Sequence, residues 1–207
     1  MDPFSFWNKS CIFAKTIIYR MKVITTNLDG VVIIEPKLFK DSRGYFFESF
    51  NQKEFDEKIG KHIEFVQDNE SMSSYSVMRG LHFQYPPYAQ SKLVRCVKGS
   101  VLDVAVDLRK GSPTYGDHCG IILSEHNHRQ FFIPKGFAHG FVVLSKVAVF
   151  QYKCDEFYHP EADGGISITD KDLEIDWVID PDDAILSDKD KVRVCLKDFN
   201  SPFIYEK

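Results

Sequence analysis

The chain has 207 residues, of which 43% are hydrophobic and 27% are charged, as in an ordinary globular domain. This composition excludes a disordered, collagen-like or disulfide-dense chain, and the length fits a single domain with a substantial core. The formal net charge of −4 argues against a nucleic-acid partner, and no apolar run approaches the ~18 residues of a membrane-spanning helix, so no membrane partner is expected.

The first twenty residues differ in pattern from the rest of the chain. Residues 1–20 mix apolar and basic side chains without strand alternation or a helical stripe, whereas Met21 begins the more regular stretch MKVITTNLDGVVIIEP. We predict that residues 1–20 are a non-functional extension, so that deleting them leaves activity and melting temperature nearly unchanged. Residues 21–207 then form one domain, which ends in a C-terminal segment on its surface.

Short β-branched and aromatic runs predict a chain made mostly of strands. The predicted strands are 31–35, 45–50, 63–67, 92–97, 101–108, 120–123, 130–133, 141–144 and 148–154. Gly99, between the fourth and fifth of these runs, predicts a hairpin turn. Alternation in the run 101–108 predicts one face with Leu102, Val104, Val106 and Leu108 and another with Val101, Asp103, Ala105 and Asp107.

Two capping signals predict short helices. Asn51 followed by Glu54 has the form of a capping box, and Gly60 is a suitable stop for that helix. Ser187 followed by Asp190 is a second start of the same form. Many short strands with only a few small helices predict an all-β fold, either a sandwich or a jelly roll.

The cysteines indicate a reducing compartment. They are odd in number, widely spaced and without a C-x-x-C pair: Cys11, Cys96, Cys119, Cys154 and Cys195. This pattern favours reduced thiols in a cytoplasmic protein over a zinc ribbon or a redox motif.

Two histidines lie in patterns that resemble the cupin motifs, which place metal ligands on jelly-roll strands. Residues 134–139 read P-x-G-x-x-H and end at His139, whereas the segment that begins at His82 lacks the second histidine of the first motif. A catalytic metal typically takes three protein ligands, so these two histidines predict a site without a metal. His126 and His128 also have H-x-H spacing, but their polar surroundings predict a solvated turn.

A histidine in a lined pocket without a metal is a natural general base, because its free pKa lies near neutrality. Such a base needs a partner that orients it, usually a carboxylate. Tyr152 shares a strand face with Ala148, Phe150 and Cys154. That face leaves two interpretations for Tyr152: a core tyrosine, or a general acid that faces the histidine across the barrel.

Six segments together resemble a known family. They are DSRGYFFESF, FVQDNESMS, RGLHFQ, KLVRCVKGSVLDVAVDLRKGSPTYG, FFIPKGFAHGF and LSDKD, and the match extends over about residues 21–191. The chain is similar in these segments to the dTDP-4-dehydrorhamnose 3,5-epimerases, which are cupins that need no metal. The resemblance implies a cupin-type jelly roll, a homodimer, no cofactor and a dTDP-linked 4-keto-6-deoxyhexose as substrate.

The resemblance also implies catalytic roles. His82 would be the base that removes the proton beside the ketone, and Asp190 would pair with it, although Asp190 also fits a role as the carboxylate of the Ser187 cap. Tyr152 would be the acid that returns a proton on the opposite face. Lys92 would stabilise the enolate oxygen.

The same match implies the substrate-binding positions. Arg79 would hold the diphosphate, as would Arg43, which in this family reaches into the neighbouring subunit's site. Phe39 and Tyr158 match aromatic positions beside the pyrimidine base. Asp163 stands where many relatives have glutamate. The other matched positions are Glu48, Gln67, Asp68, Asn69, His139 and Lys189.

The implied activity is epimerisation of dTDP-4-dehydro-6-deoxy-D-glucose at C3 and C5 to dTDP-4-dehydro-L-rhamnose, a step in dTDP-L-rhamnose biosynthesis. Three alternatives stay open at this point. One is an epimerase that acts only at C3 or only at C5 of a related sugar. The others are a sugar-nucleotide-binding cupin without catalysis and a metal-dependent cupin dioxygenase.

Overall fold

The computed structural model describes residues 20–206, and thirteen strands account for most of their regular structure. The predicted extension therefore lies outside the described residues except for Arg20. In chain order the strands are β1 Met21–Thr25, β2 Val32–Pro36, β3 Phe39–Asp41, β4 Gly44–Phe46, β5 Gln67–Ser74, β6 Met78–Gln84, β7 Lys92–Lys98, β8 Ser100–Asp107, β9 His118–Ser124, β10 Gln130–Ile133, β11 Phe137–Val143, β12 Val147–Cys154 and β13 Asp163–Gly165.

The strands form two large antiparallel sheets and one small hairpin. The six-stranded sheet has the order β1-β2-β10-β7-β12-β5, and the five-stranded sheet has the order β13-β6-β11-β8-β9. Strands β3 and β4 pair only with each other among the described residues. Two antiparallel sheets with such crossovers form the predicted all-β jelly roll.

The main core lies between the two large sheets. Phe131 and Phe150 of the six-stranded sheet share one buried cluster with Val101, Ala105 and Phe141 of the five-stranded sheet. The other face of β8, with Leu102, Val104, Val106 and Leu108, belongs to a second cluster that the C-terminal part of the chain covers. The two faces predicted for this strand are therefore confirmed.

Helix α1, Gln52–Ile59, covers the outer face of the six-stranded sheet and buries Phe55 against Phe132. The Asn51 side chain accepts a hydrogen bond from the Glu54 N–H, and Gly60 ends the helix in the left-handed conformation, as predicted. The second predicted start is also confirmed, because Ser187 caps α2, Asp188–Lys191. Single 3-10 turns occupy Pro160–Ala162, Lys171–Leu173, Pro181–Asp183 and Leu196–Asp198.

The predicted hairpin at Gly99 is wrong. Strand β7 pairs with β10 and β12, whereas β8 pairs with β9 and β11, so the two strands belong to different sheets. Gly99 has a φ of +75°, and a Cβ at this position would lie 2.2 Å from the Val147 carbonyl oxygen. A glycine of positive φ between two strands suits a corner between sheets as well as a hairpin turn.

Two other strand predictions need correction. The predicted strand 63–67 is instead the approach to β5, because Ile63 packs under α1 and the ladder begins at Gln67. The predicted strand 45–50 is shortened to the arm β4, Gly44–Phe46. Of these two runs, only Phe50, Ile63 and Phe65 pack in the cluster that covers the outer face of the sheet. The segment after Asp190 crosses the surface and buries Phe199 and Phe203 in the second cluster.

Candidate active site

The inner faces of the two sheets supply the side chains of the candidate site. His82 on β6 is the register partner of His139 on β11, and paired residues share a face. His139 neighbours Phe137 and Phe141, which both belong to the core between the sheets. His82 therefore points inward from the five-stranded sheet. Lys92, two residues before the core residue Val94, points inward from the six-stranded sheet.

His82 and Asp190 form a close pair. The Nε2 atom of His82 lies 2.5 Å from Oδ1 of Asp190, whose side chain is 4% exposed. Ser187 accepts a hydrogen bond from the Asp190 main-chain N–H, so the cap uses the backbone of Asp190 and leaves its carboxylate for His82. The carboxylate favours a proton on Nε2, and among residues 20–206 no hydrogen bond occupies the other ring nitrogen, Nδ1.

The Asp190 carboxylate is ionised at neutral pH. Burial by itself would raise its pKa, but the hydrogen bond to His82 and the nearby charges of His82 and Arg193 outweigh burial and lower it. An ionised carboxylate holds the imidazole in one orientation and stabilises its protonated form. The pair is therefore suited to remove a proton from a bound molecule.

Tyr152 lies on the opposite wall from this pair. It belongs to β12 of the six-stranded sheet and packs against the core residue Phe150. A cavity of about 310 Å³ is lined by His82, Lys92 and Tyr152 together. Burial raises the pKa of the Tyr152 phenol, so the hydroxyl keeps its proton at neutral pH. A proton acceptor and a proton donor thus face one cavity from different sheets.

Lys92 lines this cavity, and His139 is buried on the same inner face as His82 without lining the cavity. Burial lowers the pKa of Lys92. The Nε2 atom of His139 lies 3.0 Å from both carboxylate oxygens of Asp103, and burial lowers the pKa of His139 despite this carboxylate. Asp103 was not predicted from the sequence to be part of the site. A charge on the inward face of an apolar strand is the signal that marks it.

Most of the predicted binding residues surround the same space. Gln67, Asn69, Tyr158 and Asp163 line the cavity. Arg79 and Lys189 line an adjoining pocket that includes His82 and Asp190. Asp68 lines a recess of about 280 Å³ that also contains Asn69 and Tyr152.

Asp163 is held by two cations. Its Oδ2 atom lies 2.5 Å from Nη2 of Arg193 and also forms an ion pair with Lys189. Burial would raise the pKa of Asp163, but these two cations outweigh burial and lower it. The Nε atom of Arg193 is buried without a hydrogen-bond partner among residues 20–206. No sequence signal marks Arg193, because it lies in an irregular segment far from Asp163 along the chain.

Three predicted binding residues lie apart from the cavity within this chain. Phe39 and Arg43 line a pocket on the β3–β4 hairpin, where Arg43 pairs with Asp41 at 2.6 Å. Glu48 forms an ion pair with Arg20 and accepts a hydrogen bond from Asn51. The described chain therefore does not join these three residues to the His82 cavity.

The predicted solvated turn at His126 and His128 is correct for only one of them. His126 is exposed in the turn between β9 and β10. The ring of His128 is half-buried, with ring centroids 4.7 Å from Tyr45 and 5.4 Å from Phe47. His128 therefore belongs to an aromatic contact beside the β3–β4 hairpin.

The described part of the chain offers no clear metal site. Residues 20–206 contain no group of three or more His, Cys, Asp or Glu side chains arranged to hold an ion. His82 and His139 each have a carboxylate partner of their own, Asp190 and Asp103. Among the same residues, no helix is long and apolar enough to cross a membrane.

Two antiparallel sheets around a cavity with a histidine on one wall and a tyrosine on the other are typical of an enzyme of the cupin type. The chain belongs to the dTDP-4-dehydrorhamnose 3,5-epimerase family, whose model matches residues 25–198. This result confirms the resemblance in the sequence and places the chain among isomerases.

Relatives from bacteria and archaea support the assignment. The chain is 55% identical over 170 residues to dTDP-4-dehydrorhamnose 3,5-epimerase of Shigella flexneri. The match covers 82% of this chain and 93% of the relative. It is 54% identical over 171 residues to the enzyme of the same name from Methanothermobacter thermautotrophicus. That match covers 82% of this chain and 91% of the relative.

A solved relative has the same fold. It is the dTDP-6-deoxy-D-glucose-3,5-epimerase of Legionella pneumophila, in complex with dTDP-4-keto-L-rhamnose. The TM-score is 0.86 and the identity is 48%, and the match covers 90% of this chain and 100% of that one.

Proposed function

We propose that the protein epimerises dTDP-4-dehydro-6-deoxy-D-glucose at C3 and C5 to dTDP-4-dehydro-L-rhamnose, as a step in dTDP-L-rhamnose biosynthesis. The observation that carries the proposal is the placement of His82 and Tyr152 in one cavity on different sheets. Epimerisation needs a proton removed from one face of a carbon and a proton added to the other. A base and an acid on facing walls meet this requirement.

His82 is the proposed base. C3 and C5 both flank the C4 ketone, so loss of a proton from either carbon gives an enolate. The Nδ1 atom of His82 takes that proton, and Asp190 stabilises the imidazolium that forms. Tyr152 then donates its phenolic proton to the opposite face of the carbon, and its raised pKa keeps that proton available.

Lys92 and His139 stabilise the enolate in this proposal. The negative charge develops on the C4 oxygen, and a donor aimed at such an oxygen typically contributes about 2.7–4 kcal/mol to the transition state. Lys92 lines the cavity with the acid and the base, and His139 lies on the same inner face as His82. These donors take the role that a metal has in other cupins, so we propose that the enzyme needs no cofactor.

The nucleotide occupies the side of the cavity lined by Gln67, Asn69 and Tyr158. Tyr158 supplies an aromatic face for the pyrimidine base. Arg79 and Lys189, in the adjoining pocket, bind the diphosphate, because guanidinium and ammonium groups are strong donors to phosphate oxygens. Asp163 in the cavity and Asp68 in the neighbouring recess complete the polar surroundings.

We propose a homodimer in which the β3–β4 hairpin of one subunit completes the site of the other. Phe46 is 64% exposed, and Tyr45 and Phe39 are also exposed on this hairpin. A cluster of exposed aromatic side chains is typical of a protein interface. In the second subunit's site, Arg43 would bind the diphosphate and Phe39 would contact the base.

The cytoplasmic location remains a prediction. Four cysteines in the described part of the chain are free: Cys96, Cys119, Cys154 and Cys195. Unpaired thiols are typical of proteins in a reducing compartment.

The test is NMR of the 4-keto sugar nucleotide with the enzyme in deuterium oxide. The wild-type enzyme should incorporate deuterium at both C3 and C5, and His82→Ala should abolish both exchanges while dTDP binding survives. His126→Ala, which removes an exposed histidine, is the matched control and should behave as wild type.

Each alternative predicts a different experimental result. Exchange at one carbon only would identify a C3-only or C5-only epimerase, and no exchange by the wild type would identify a binding protein. Retained exchange in His82→Ala would exclude His82 as the sole base. Stoichiometric iron or nickel in the purified protein would favour the dioxygenase.

A further inference from the structure

The segment 156–159 carries Tyr158 to the cavity, and three glutamine side chains bind its main chain. These side chains, Gln67, Gln84 and Gln90, come from other parts of the fold and also line the cavity. We call them the glutamine clamp. The resemblance in the sequence implies a binding role for Gln67 and none for the other two glutamines.

Gln84 makes the most contacts in the glutamine clamp. Its Nε2 atom donates to the Tyr88 carbonyl oxygen at 2.7 Å and to the Phe157 carbonyl oxygen at 3.0 Å. Its Oε1 atom accepts from the His159 N–H at 2.7 Å. Gln84 is only 3% exposed and lies at the end of β6, two residues after His82. A rigid strand thus fixes both sides of Tyr158.

The other two glutamines bind the remaining groups of the segment. Gln90 donates from Nε2 to the Glu156 carbonyl oxygen at 2.7 Å. Gln67 accepts from the Tyr158 N–H at 3.0 Å, while its own Nε2 donates to Asn69. Four consecutive residues therefore have a main-chain group held by a glutamine amide. No strand or helix includes these residues, so the glutamine side chains provide the hydrogen bonds that neighbouring strands would provide in a sheet.

The clamp depends on the amide group. An amide both donates and accepts, and Gln84 uses two donors and one acceptor in these contacts. A carboxylate of the same shape has no donor and would face two carbonyl oxygens. Because Gln84 is buried, water cannot replace the lost partners, so the segment would move.

We infer that Gln84 is a positioning residue that fixes segment 156–159 and, through Tyr158, sets the affinity of the site for the base end of the nucleotide. This inference rests on the proposed function, in which Tyr158 contacts the pyrimidine. The Gln84 amide is engaged with main-chain groups of Tyr88, Phe157 and His159, so we expect it to act on binding rather than on proton transfer.

The test compares Gln84→Glu with wild type in dTDP binding and in steady-state kinetics. Losing one base–aromatic stack weakens binding by about 5- to 160-fold, so the Kd for dTDP and the KM should rise within that range. The kcat should stay within about threefold, because the His82 pair and Tyr152 are unchanged. A variant that merely unfolds would lose kcat as well.

A double variant tests whether Gln84 acts through Tyr158. Tyr158→Ala should weaken dTDP binding, and adding Gln84→Glu to it should cause little further loss. Gln52→Glu is the matched control. Gln52 lies on α1, away from the cavity, and its side chain donates to Asp56 and to the carbonyl oxygen of Ile63 beyond the helix. It should leave dTDP binding unchanged.

The outcomes separate the two ideas. A wild-type protein that does not bind dTDP would refute the proposed function itself. Normal binding by Gln84→Glu, or losses that add in the double variant, would overturn the inference alone. If Gln84→Glu does not fold, Gln90→Glu replaces it, since Gln90 donates to the same segment. A raised Kd then supports the inference, and an unchanged Kd overturns it.

Discussion

Two side chains that flank His82 have pKa values shifted in opposite directions. Burial raises the pKa of Tyr152, so the phenol is protonated. The hydrogen bond to His82 lowers the pKa of Asp190 against the effect of burial, so the carboxylate is ionised. His82 bonds to this carboxylate and lines the cavity together with Tyr152. In the proposed mechanism, a proton passes from the substrate to the His82 imidazole and from the Tyr152 phenol to the substrate.

Tyr152→Phe should separate proton removal from proton return. Without the hydroxyl, we expect product formation to fall by about 10²–10⁴-fold, the usual contribution of a positioned acid. His82 remains, so deuterium should still enter the unreacted substrate. NMR in deuterium oxide measures both product formation and deuterium incorporation into the substrate. Tyr75→Phe, which alters an exposed tyrosine, is the control. Unchanged product formation would refute the role of Tyr152.

Asp190→Asn should reduce stability in a pH-dependent manner. The folded pKa of Asp190 is lowered below the ordinary value of about 3.9. The ionised carboxylate therefore stabilises the fold above that value, and this stabilisation is lost as the pH falls through the folded pKa. We expect the variant to be less stable than wild type at neutral pH, with the difference shrinking below about pH 4.

Urea unfolding at several pH values measures this difference. Asp188→Asn is the control, because its carboxylate is exposed on the same short helix. A difference between wild type and Asp190→Asn that does not change with pH would contradict the prediction.

The residues of the site were predictable to different degrees. His82 and His139 stand out in the sequence because they interrupt strand-like runs at the spacing of known motifs. Asp190 was ambiguous, because a capping carboxylate and a histidine partner have the same local pattern. The structure places the backbone of Asp190 in the cap and its side chain at His82. Asp103 was missed because its partner is brought close only by the register of β8 and β11.

At the scale of elements, the chain passes from the six-stranded sheet to the five-stranded sheet at the Gly99 corner between β7 and β8. Alternation along 101–108 predicted the faces of β8 correctly, because the side-chain period of a strand is a local property. The pairing of β7 with β10 and β12 depends on residues far along the chain. The glycine between β7 and β8 has the same local signature in a hairpin and in a corner, so the sequence run around Gly99 does not distinguish them.

Gly99→Ala should destabilise the fold more than Gly111→Ala. Both glycines have positive φ, +75° and +82°, so either alanine costs about 1–2 kcal/mol. The new Cβ at Gly99 would also collide with the Val147 carbonyl oxygen, whereas nothing lies within 4 Å at Gly111. We expect a further loss of about 1–3 kcal/mol for Gly99→Ala. If urea unfolding shows that Gly99→Ala and Gly111→Ala lose equal free energy of unfolding, the predicted effect of the collision is wrong.

At the scale of the whole molecule, one chain does not bring all of the predicted binding residues together. Phe39 and Arg43 lie on a hairpin with exposed aromatic side chains, and they line a pocket apart from His82. The resemblance assigns Arg43 to a neighbouring subunit's site. In the proposed homodimer, folding of a single chain and completion of its site would be separate steps.

Mixed dimers test this arrangement. Arg43→Ala and His82→Ala subunits should each be nearly inactive alone. In a mixed dimer, one site has both His82 and Arg43, and the other has neither. Random mixing of equal amounts makes half of the dimers mixed, so about a quarter of wild-type activity should return. No recovery, in mixtures shown to exchange subunits, would exclude a shared site.

The placement of the proposed acid, Tyr152, and the proposed base, His82, on two different sheets links turnover to the spacing between those sheets. Each sheet keeps its own hydrogen bonds if the layers drift apart, so circular dichroism would register little change. The distance that a proton must cross would nevertheless grow with every ångström of swelling. Catalysis in this barrel therefore reports on the tightness of its interior more sensitively than any measure of its secondary structure does.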